Sequence, residues 1–402
     1  MRIVYYTHSA FFELALSLVR ALARHAQVDL LLEVSPGAWQ SAGFDVPPQA
    51  LPAGIIPADP VLAPLFPSGV RDYWRAASSF QLVVHGTKGS FTPASFRLGR
   101  AVLRAVADLS PDVLHVDDVD VSPRLALSLR GARHPPIALA VHDPQPHSGE
   151  GNWRRSIARR LAYPTVTRFV LYNEVLRDGF SKRFHISPGV IDTARLGPYD
   201  VFREWAPRPG STDGRPMVLF FGRLSPYKGL DTFYAAAPLI AQRVGDVRMI
   251  VAGRPIEGYS PPPPPTLSAG ATIEVVERYL SNEDVAGLCA RARVIVCPYR
   301  DATQSGVVLT AFAFGVPVVA SAVGGLIEYV EHGRTGLVVP PGDVPALADA
   351  VGQLLIDQSL HARIHDGIRD AADGELNWNH TVESLLRTYA ECRLQRRPRR
   401  RN

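Results

Sequence analysis

The sequence has few cysteines, and this scarcity excludes two ways of stabilising a fold. Only Cys289, Cys297 and Cys392 occur among 402 residues. Their number is odd, and their spacing is unlike the paired spacing of cysteine ligands for zinc. Neither a disulfide framework nor structural zinc is therefore expected, and this cysteine usage is typical of a reducing cytoplasm.

Long hydrophobic runs are also missing. No apolar stretch reaches the roughly 18 residues that a membrane-spanning helix requires, although 46% of the residues are hydrophobic. The apolar N-terminal segment lacks a small-residue cleavage site, so we interpret it as a strand and a helix rather than a signal peptide. Length and composition predict a cytoplasmic globular protein with two domains of roughly 200 residues.

The excess of basic charge is confined to the end of the chain. The formal net charge is +5, but six arginines lie in the last ten residues, which leaves 37 basic against 38 acidic residues elsewhere. Nothing in the body resembles a nucleic-acid-binding module, so no nucleic-acid partner is expected. The basic tail, residues 396–402, is a candidate for weak contact with an anionic membrane, peripherally at the inner membrane surface, although a frayed, solvated end is the commoner fate.

The turn after the first predicted strand has no glycine-rich phosphate loop. Residues 2–6 have the pattern of a buried strand, and an amphipathic helix follows. The intervening turn reads Thr7-His8-Ser9-Ala10-Phe11-Phe12. Because it lacks the glycines that let a backbone approach a pyrophosphate, a dinucleotide on this turn is disfavoured.

Strands and helices alternate through the first half of the chain. Further strands are predicted at 28–34, 82–85, 113–116, 137–141 and 169–172, and helices at 95–109, 123–129 and 154–161. This alternation predicts a parallel sheet covered by helices on both faces. Residues 35–80 are too long for a tight connection, and we predict a functional insertion there.

Two loops at strand ends in this half carry candidate functional residues. Asp118 and Asp120 directly follow a strand and have carboxylates that a divalent metal prefers, but this spacing is common by chance and metal binding is not the favoured interpretation. His142 and His147 lie on a proline-containing loop after the strand 137–141. Because open parallel sheets bind ligands beyond the carboxyl ends of their strands, we predict a function for this loop.

A second alternation follows residues 198–216, a segment rich in proline and glycine that we interpret as a linker. Strands are predicted at 217–221, 248–252, 273–276, 294–297 and 316–321, and helices at 231–240, 305–314, 344–356, 360–371 and 378–393. Asp231 is predicted to be the N-cap of its helix, and Ser281 with Asp284 to cap another. The two halves therefore share one plan, that of a doubly wound domain.

The loop after strand 217–221 has the chemistry of a phosphate site. Arg223 and Lys228 lie between Gly222 and Gly229, close to the start of a helix. Two cations, the N–H groups of a turn and the positive end of a helix dipole all favour a pyrophosphate. Loop cations are usually only solvated, but their position after a buried strand leads us to predict a phosphate contact.

A similar turn follows the strand 294–297. Gln304, Ser305 and Gly306 offer backbone N–H groups at the start of a helix, where unpaired donors and the helix dipole favour an anion. An ordinary strand–helix turn is the alternative interpretation of this stretch taken alone.

Seven motifs of the second half occur together in one order. They are Phe220-Phe221-Gly222-Arg223 with Lys228-Gly229, Val251-Ala252-Gly253, Ser281-Asn282-Glu283-Asp284, Pro298 to Gly306, Gly315-Val316-Pro317-Val318-Val319-Ala320-Ser321, Gly324-Gly325-Leu326 with Glu328, and His332-Gly333-Arg334-Thr335-Gly336. Their order and spacing resemble glycosyltransferase family 4, the retaining nucleotide-sugar enzymes of the GT-B fold. The resemblance implies an α/β protein in which two Rossmann-like domains, each with a doubly wound parallel sheet, face each other across a cleft.

The resemblance also implies a division of labour along the chain. Residues 1–200 are expected to form an acceptor-binding domain, and residues 215–375 a domain that binds the nucleotide sugar. The helix 376–395 is expected to pack back on the first domain, and residues 396–402 form the basic tail.

The family's functional residues correspond to particular positions here. Arg223 and Lys228 resemble the pair that neutralises the donor diphosphate and the leaving-group charge, and Gly222 is expected to bind the donor beside them. Asp301 lies roughly where a family glutamate holds hydroxyls of the donor sugar. His142 resembles the histidine that lies over that sugar near the reacting carbon.

Further donor contacts are implied for the start of the helix that follows. Gln304, Ser305, Gly306 and Val307 resemble the segment whose backbone contacts the distal phosphate and sugar. The family usually needs no bound metal, and no cofactor is implied beyond the donor substrate. Retention of anomeric configuration is thought to proceed in the family by front-face attack, with a donor phosphate oxygen as the base.

Two departures from the family pattern concern the donor and acceptor sites. Thr310 stands where a glutamate usually grips the nucleotide ribose, so ribose recognition is expected to be weaker or to come from elsewhere. Phe11 and Phe12 replace a glycine pair near the first strand, which favours an apolar acceptor pocket lined also by His8 and His147.

The expected function is thus the transfer of a sugar from a nucleotide-diphosphate donor to an unidentified acceptor, whether a small molecule, a glycan or a lipid-linked group. Two alternatives stay open. One is an enzyme of the same fold with other chemistry, an epimerase or a phosphorylase. The other is a catalytically silent subunit that binds a nucleotide, for which the threonine at position 310 is the main argument.

Overall fold

The chain folds as two compact α/β units. The computed structural model describes residues 1–35, 51–86, 92–119, 135–144, 153–207, 214–268 and 270–395. Among these, the first unit comprises the described part of Met1–Pro144, the segment that ends at Arg195 and the helix that begins at Trp378. The second unit is formed by Leu196–Asn377. In the part of the chain so described, no helix is long and apolar enough to span a bilayer.

The first unit is built on an eight-stranded sheet. Its strands are β1 (Arg2–His8), β2 (Gln27–Val34), β3 (Gly54–Pro57), β4 (Ser79–Val84), β5 (Val113–Asp117), β6 (Ile137–Val141), β7 (Arg168–Leu171) and β8 (Ile191–Thr193). Their order is β3-β4-β2-β1-β5-β6-β7-β8, and every pair is parallel except β3 with β4. The central strands β1, β5 and β6 are near-continuous apolar runs because helices cover both faces of such a sheet.

Seven described helices belong to this unit. They are α1 (Phe12–Leu22), α2 (Asp59–Leu62), α3 (Ser68–Arg75), α4 (Pro93–Leu109), α5 (Trp153–Ala162), α6 (Arg177–Phe184) and the last helix of the chain, α12 (Trp378–Gln395). Helix α1 is buried almost all round because it packs against both α3 and α12. The predicted insertion contains β3, α2 and α3, while the helix predicted at 123–129 lies outside the described residues.

The second unit has a six-stranded, wholly parallel sheet. Its strands are β9 (Met217–Phe221), β10 (Arg248–Ala252), β11 (Thr272–Val276), β12 (Val294–Cys297), β13 (Val318–Ser321) and β14 (Gly336–Val339), in the order β11-β10-β9-β12-β13-β14. The helices are α7 (Leu230–Val244), α8 (Asn282–Arg291), α9 (Gly306–Ala313), α10 (Val344–Ile356) and α11 (Gln358–Asp373). Two α/β domains with parallel sheets are therefore confirmed.

The predicted linker is not a solvated spacer over its first part. Residues 196–207 belong to the second unit, and Asp200–Trp205 forms a short 3-10 helix that packs against α8 and α9. Val201, Phe202 and Trp205 are buried there. The interpretation as a linker is wrong for this part because these apolar side chains gain more from burial than proline and glycine gain from solvation.

Asp231 is not the N-cap of α7. The cap is Gly229, whose φ of +69° is a left-handed conformation that glycine adopts without strain. Asp231 lies in the first helical turn, where its charge complements the helix dipole, and it pairs with Arg300. The prediction failed because the chain turns into the helix through a glycine conformation rather than through a side-chain cap.

The capping box predicted at the start of α8 is confirmed. Ser281 Oγ accepts a hydrogen bond from the Asp284 N–H at 3.1 Å, and the Ser281 N–H donates to Asp284 Oδ2 at 2.9 Å. Arg278 donates to both carboxylate oxygens of Asp284. The Arg278 hydrogen bonds, reinforced by Ser281 and only partly offset by burial, lower the pKa of Asp284 to about 2.

We expect Asp284→Asn to lower the free energy of unfolding by about 1 kcal/mol at pH 7, because it weakens the cap. The Asp284 pKa is depressed in the folded state, so its stabilisation is present above pH ~4 and is lost as the pH falls towards 2. Urea unfolding at pH 7, 4 and 2.5 should therefore show a smaller acid loss in Asp284→Asn than in wild type. Asp373→Asn, at an exposed aspartate, serves as the control, and equal acid losses in all three proteins would contradict the assignment.

Candidate functional site

The loop after β9 places Lys228 at the carboxyl end of the second sheet. The lysine ends the single turn Pro226–Lys228, and its side chain is mostly buried, with 6% exposure. Its Nζ lies 5.2 Å from the centroid of the Tyr299 ring, within the range of a cation–π contact. An ammonium group at the carboxyl ends of the strands attracts negative charge, so this geometry suits an anion there.

Gly222 leaves room for the Lys228 ammonium group. Its φ is +107°, and a Cβ built there would lie 2.8 Å from Lys228 Nζ and 3.5 Å from Val307 Cγ2. The absence of a side chain therefore brings a cation, a backbone turn and the first turn of α9 together. Three residues of the predicted donor site, from two separate loops, meet at this point.

Gly253 and Gly229 hold the neighbouring loops in contact. A Cβ on Gly253 would lie 1.8 Å from the carbonyl oxygen of Gly222, and one on Gly229 would lie 2.0 Å from that of Pro298. Real Cβ atoms do not approach so closely, and both glycines have positive φ, of +152° and +69°. Backbone contact between the loops after β9, β10 and β12 thus depends on these two positions.

The start of α9 supplies a second set of backbone donors. Ser305 is the N-cap, and its Oγ accepts from the Val308 N–H at 3.4 Å. Gly306 lies against the Tyr199 ring, which a Cβ would approach to 3.3 Å. The following N–H groups and the dipole of α9 make this turn attractive to a phosphate, as the sequence predicted.

The remaining predicted donor residues differ in exposure. Arg223 is exposed, Asp301 and Gln304 are half-buried, and Thr310 keeps only 3% of its surface accessible. Thr310 therefore belongs to the packed face of α9 and offers its hydroxyl little contact with a ligand. Sequence reasoning missed Tyr299, whose ring lies under the Lys228 ammonium group at the end of β12.

The cysteine beside this site is not a nucleophile. Burial raises the pKa of the Cys297 thiol to about 12, although the nearby Lys228 charge acts in the opposite direction. The thiol is therefore protonated at neutral pH, and a thiolate is the reactive form. Cys289 and Cys392 are likewise buried and free.

In the first unit, three of the predicted residues form a stack of rings. His142 is 1% exposed, and its ring lies parallel to that of Phe11, with centroids 3.6 Å apart. The His8 ring contacts Phe11 from a centroid distance of 4.4 Å, and His8 Nδ1 accepts from the Ala10 N–H. The ends of β1 and β6 thus bring His8, Phe11 and His142 together.

His142 has a charged partner that sequence reasoning missed. Its Nε2 lies 3.0 Å from Oδ1 of Asp117, the last residue of β5, and both side chains are buried. Burial alone would raise the pKa of the Asp117 carboxyl, but hydrogen bonds from His115 and His142 outweigh it and hold that pKa well below its usual value. Asp117 is therefore an ionised carboxylate beneath the histidine.

One prediction for the first unit needs correction, and two residues cannot be compared. Phe12 is fully buried and packs edge-on against Phe66, so its side chain belongs to the core and not to an open acceptor pocket. Asp118, for which metal binding was not the favoured interpretation, accepts hydrogen bonds from Arg159 at 3.2 Å. Within the described residues no cluster of potential metal ligands occurs. His147 and Asp120 lie outside the described residues.

Two α/β units with parallel sheets are the architecture of the GT-B class. In the second unit, a cation and the starts of two helices lie at the carboxyl ends of the strands. Solved structures support this class by fold. The chain aligns with sucrose-phosphate synthase from Thermosynechococcus elongatus at a TM-score of 0.66 and 18% identity, covering 97% of this chain and 98% of that one. It also aligns with HepE from Anabaena, solved in complex with UDP-glucose, at a TM-score of 0.62 and 16% identity, covering 96% and 100%.

The family is indicated by sequence comparison. Residues 215–357 match the family model described as Glycosyl transferases group 1. The chain is 31% identical over 262 residues to a GDP-mannose-dependent alpha-(1-6)-phosphatidylinositol monomannoside mannosyltransferase of Mycobacterium tuberculosis, covering 60% of this chain and 66% of that protein. The recognition made from the motifs of the second half is therefore confirmed over residues 215–357. The chain spans from about half to just under two thirds of the length of the first curated relatives it matches.

Proposed function

We propose that the protein is a glycosyltransferase that moves a sugar from a nucleotide-diphosphate donor to a hydroxyl of an acceptor. The observation that carries this proposal is the mostly buried Lys228 ammonium group beside Gly222 and the first turn of α9. A cation and aligned N–H groups at one place are suited to a diphosphate. The matched family and the nucleotide sugars in the names of similar proteins support the same donor class.

The proposed reaction retains the anomeric configuration. The bond between the sugar C1 and the diphosphate oxygen breaks, and the acceptor oxygen forms its bond to C1 on the same face. The acceptor proton passes to an oxygen of the departing diphosphate. Lys228 and the N–H groups of the α9 turn stabilise the charge that grows on that leaving group, which is commonly the largest contribution of such a site.

Roles for the other residues are those that the family resemblance of their motifs implies. Arg223 is assigned to the diphosphate, Asp301 to hydroxyls of the donor sugar, and His142 to a contact near the reacting carbon. His8 and Phe11 are assigned to the acceptor. Neither a metal nor a cofactor is assigned a part in the reaction, so chelation with EDTA should leave turnover unchanged.

Product analysis tests the proposal and separates it from the alternatives. The purified chain is incubated with UDP-, GDP-, ADP- and TDP-sugars, first alone and then with a panel of polyol, glycan and lipid-linked acceptors. We expect release of nucleoside diphosphate with one donor class, dependent on an acceptor, and a glycoside with the anomeric configuration of the donor by NMR.

Other products would point to other functions. An isomerised sugar formed from the donor alone would indicate an epimerase, and a sugar phosphate formed from a glycan and phosphate would indicate a phosphorylase. Tight nucleotide binding with no product from any acceptor would favour a silent subunit. A glycoside with the opposite anomeric configuration would still support transferase activity, but it would contradict the front-face mechanism.

A further inference from the structure

Beneath His142 lies a cluster of buried polar side chains drawn from both ends of the chain. Its members are Tyr5 on β1, His115 and Asp117 on β5, and Tyr389 on α12, all of them inaccessible to solvent. The rings of Tyr5 and His115 stack with centroids 4.4 Å apart. Burying these four polar groups costs free energy of desolvation. Apolar side chains of similar size would fill the same space without that cost.

The hydrogen bonds of this cluster centre on the Asp117 carboxylate, which accepts them. A carboxylate only accepts, so Tyr5 O–H donates to Asp117 Oδ2 at 2.7 Å and His142 Nε2–H donates to Oδ1 at 3.0 Å. His115 Nε2 lies 3.5 Å from the same Oδ1, and His115 Nδ1 lies 2.8 Å from the Tyr389 hydroxyl. With the His115 proton on Nε2, Tyr389 O–H donates to Nδ1. Tyr5 and His142 then donate to Asp117, while the His115 Nε2–H faces the same carboxylate from the longer distance of 3.5 Å.

We propose that Asp117 is a positioning residue that fixes His142 in the Nε2–H tautomer, and that Tyr389 and His115 hold Asp117 in place for this task. The inference rests on the role proposed for His142 near the reacting carbon. It gives the last helix a chemical part in the site, because Tyr389 reaches His115 from 274 positions away in the sequence. A buried histidine keeps one ring orientation only when a second group fixes its tautomer, and a carboxylate does this most strongly.

The ring-stack geometry explains why the tautomer matters. Phe11 covers one face of the His142 ring, and Tyr172 contacts it from a centroid distance of 4.9 Å. The ring is therefore held in one orientation, and the position of its proton decides which nitrogen donates to Asp117. When Nε2–H donates to Asp117, Nδ1 is the ring nitrogen that faces other partners. Whether Nδ1 carries a proton decides whether His142 donates or accepts a hydrogen bond with a substrate.

Nitrogen NMR of the full chain without donor tests the tautomer directly. Long-range ¹⁵N–¹H correlation of the histidine rings, with His142→Gln to assign the signals, should show His142 with its proton on Nε2 in wild type. Asp117→Asn should shift the His142 signals towards a mixture of tautomers. A wild-type His142 with its proton on Nδ1 would overturn the proposal without any variant.

The milder Tyr389→Phe variant tests the reach of the last helix. It removes one hydroxyl and should change the ring signals of both His115 and His142. Tyr234→Phe, which alters a buried tyrosine of the second unit, is the matched control and should change neither. His142 signals identical in wild type, Asp117→Asn and Tyr389→Phe would show that the cluster is only a packed core.

Kinetics separates this inference from the proposed function. Asp117→Asn should lower kcat by about 10- to 100-fold, the usual effect of losing the partner that orients a functional histidine, with little change in KM for the donor. Because the NMR experiment contains no donor, its result stands whether or not sugar transfer is found. A shifted tautomer with unchanged kcat would support the positioning of His142 and contradict its proposed role in transfer.

Discussion

Lys228→Ala should lower turnover by about 100- to 1000-fold, because removing one preorganised partner of a developing oxyanion usually costs that much. The substitution removes the mostly buried ammonium group beside Gly222. Lys228→Met keeps most of the side-chain volume without the charge and should lose turnover to a similar extent. Steady-state release of nucleoside diphosphate measures the effect.

Stability provides the control for this experiment. Lys228→Met should still unfold cooperatively without donor, since methionine fills most of the volume of the lysine side chain. Lys182→Ala, at an exposed lysine of the first unit, should leave both turnover and stability unchanged. Near-normal turnover of Lys228→Met would contradict the assignment of Lys228 to the diphosphate.

Gly253→Ala should strongly destabilise the second unit. The new Cβ would lie 1.8 Å from the Gly222 carbonyl oxygen, so one of the two loops must move. A positive φ costs a non-glycine residue about 1–2 kcal/mol, and overpacking adds about 1–3 kcal/mol. We therefore expect a loss of about 3 kcal/mol in the free energy of unfolding, measured by urea denaturation.

Gly245→Ala separates the two causes of this loss. Gly245 also has a positive φ, of +79°, but a Cβ there would meet nothing within 4 Å. It should lose only the roughly 1–2 kcal/mol of backbone strain and keep normal donor affinity. Gly253→Ala should in addition bind the nucleotide more weakly, because it displaces the loop that carries Gly222 and Lys228. Equal losses in the two variants would show that the loop contact is unimportant.

Local patterns were sufficient to predict the frame of both sheets. Strands β9, β10 and β12 were predicted at their observed bounds because each is a short, buried apolar run, and the α8 capping box was predicted from Ser281 and Asp284. The close approach of Gly222 and Lys228 could be predicted too, because both belong to one loop directly after β9. The motifs of the second half were sufficient to identify its family, because they are contiguous stretches whose order and spacing can be compared directly.

Other features depended on contacts that no local pattern encodes. Trp205 lies in a proline-rich segment that looks like a linker, but α8 and α9 bury it. Phe12 is next to Phe11 in sequence, yet one ring enters the core and the other stacks on His142. Asp117 is one of three acids at positions 117–120, and its contact with His142 and the contact of its neighbour His115 with Tyr389 depend on the packing of β5, β6 and α12.

The most direct test of the account is a titration of the purified chain with UDP, GDP, ADP and TDP and their common sugars in the presence of EDTA, followed by thermal unfolding. A nucleotide at about 100 times its dissociation constant should add about 2.7 kcal/mol to stability. The account predicts that one base gives a clear rise in melting temperature for wild type and a much smaller one for Lys228→Met. No stabilisation by any nucleotide, or equal stabilisation of wild type and Lys228→Met, would contradict a diphosphate site built around Lys228.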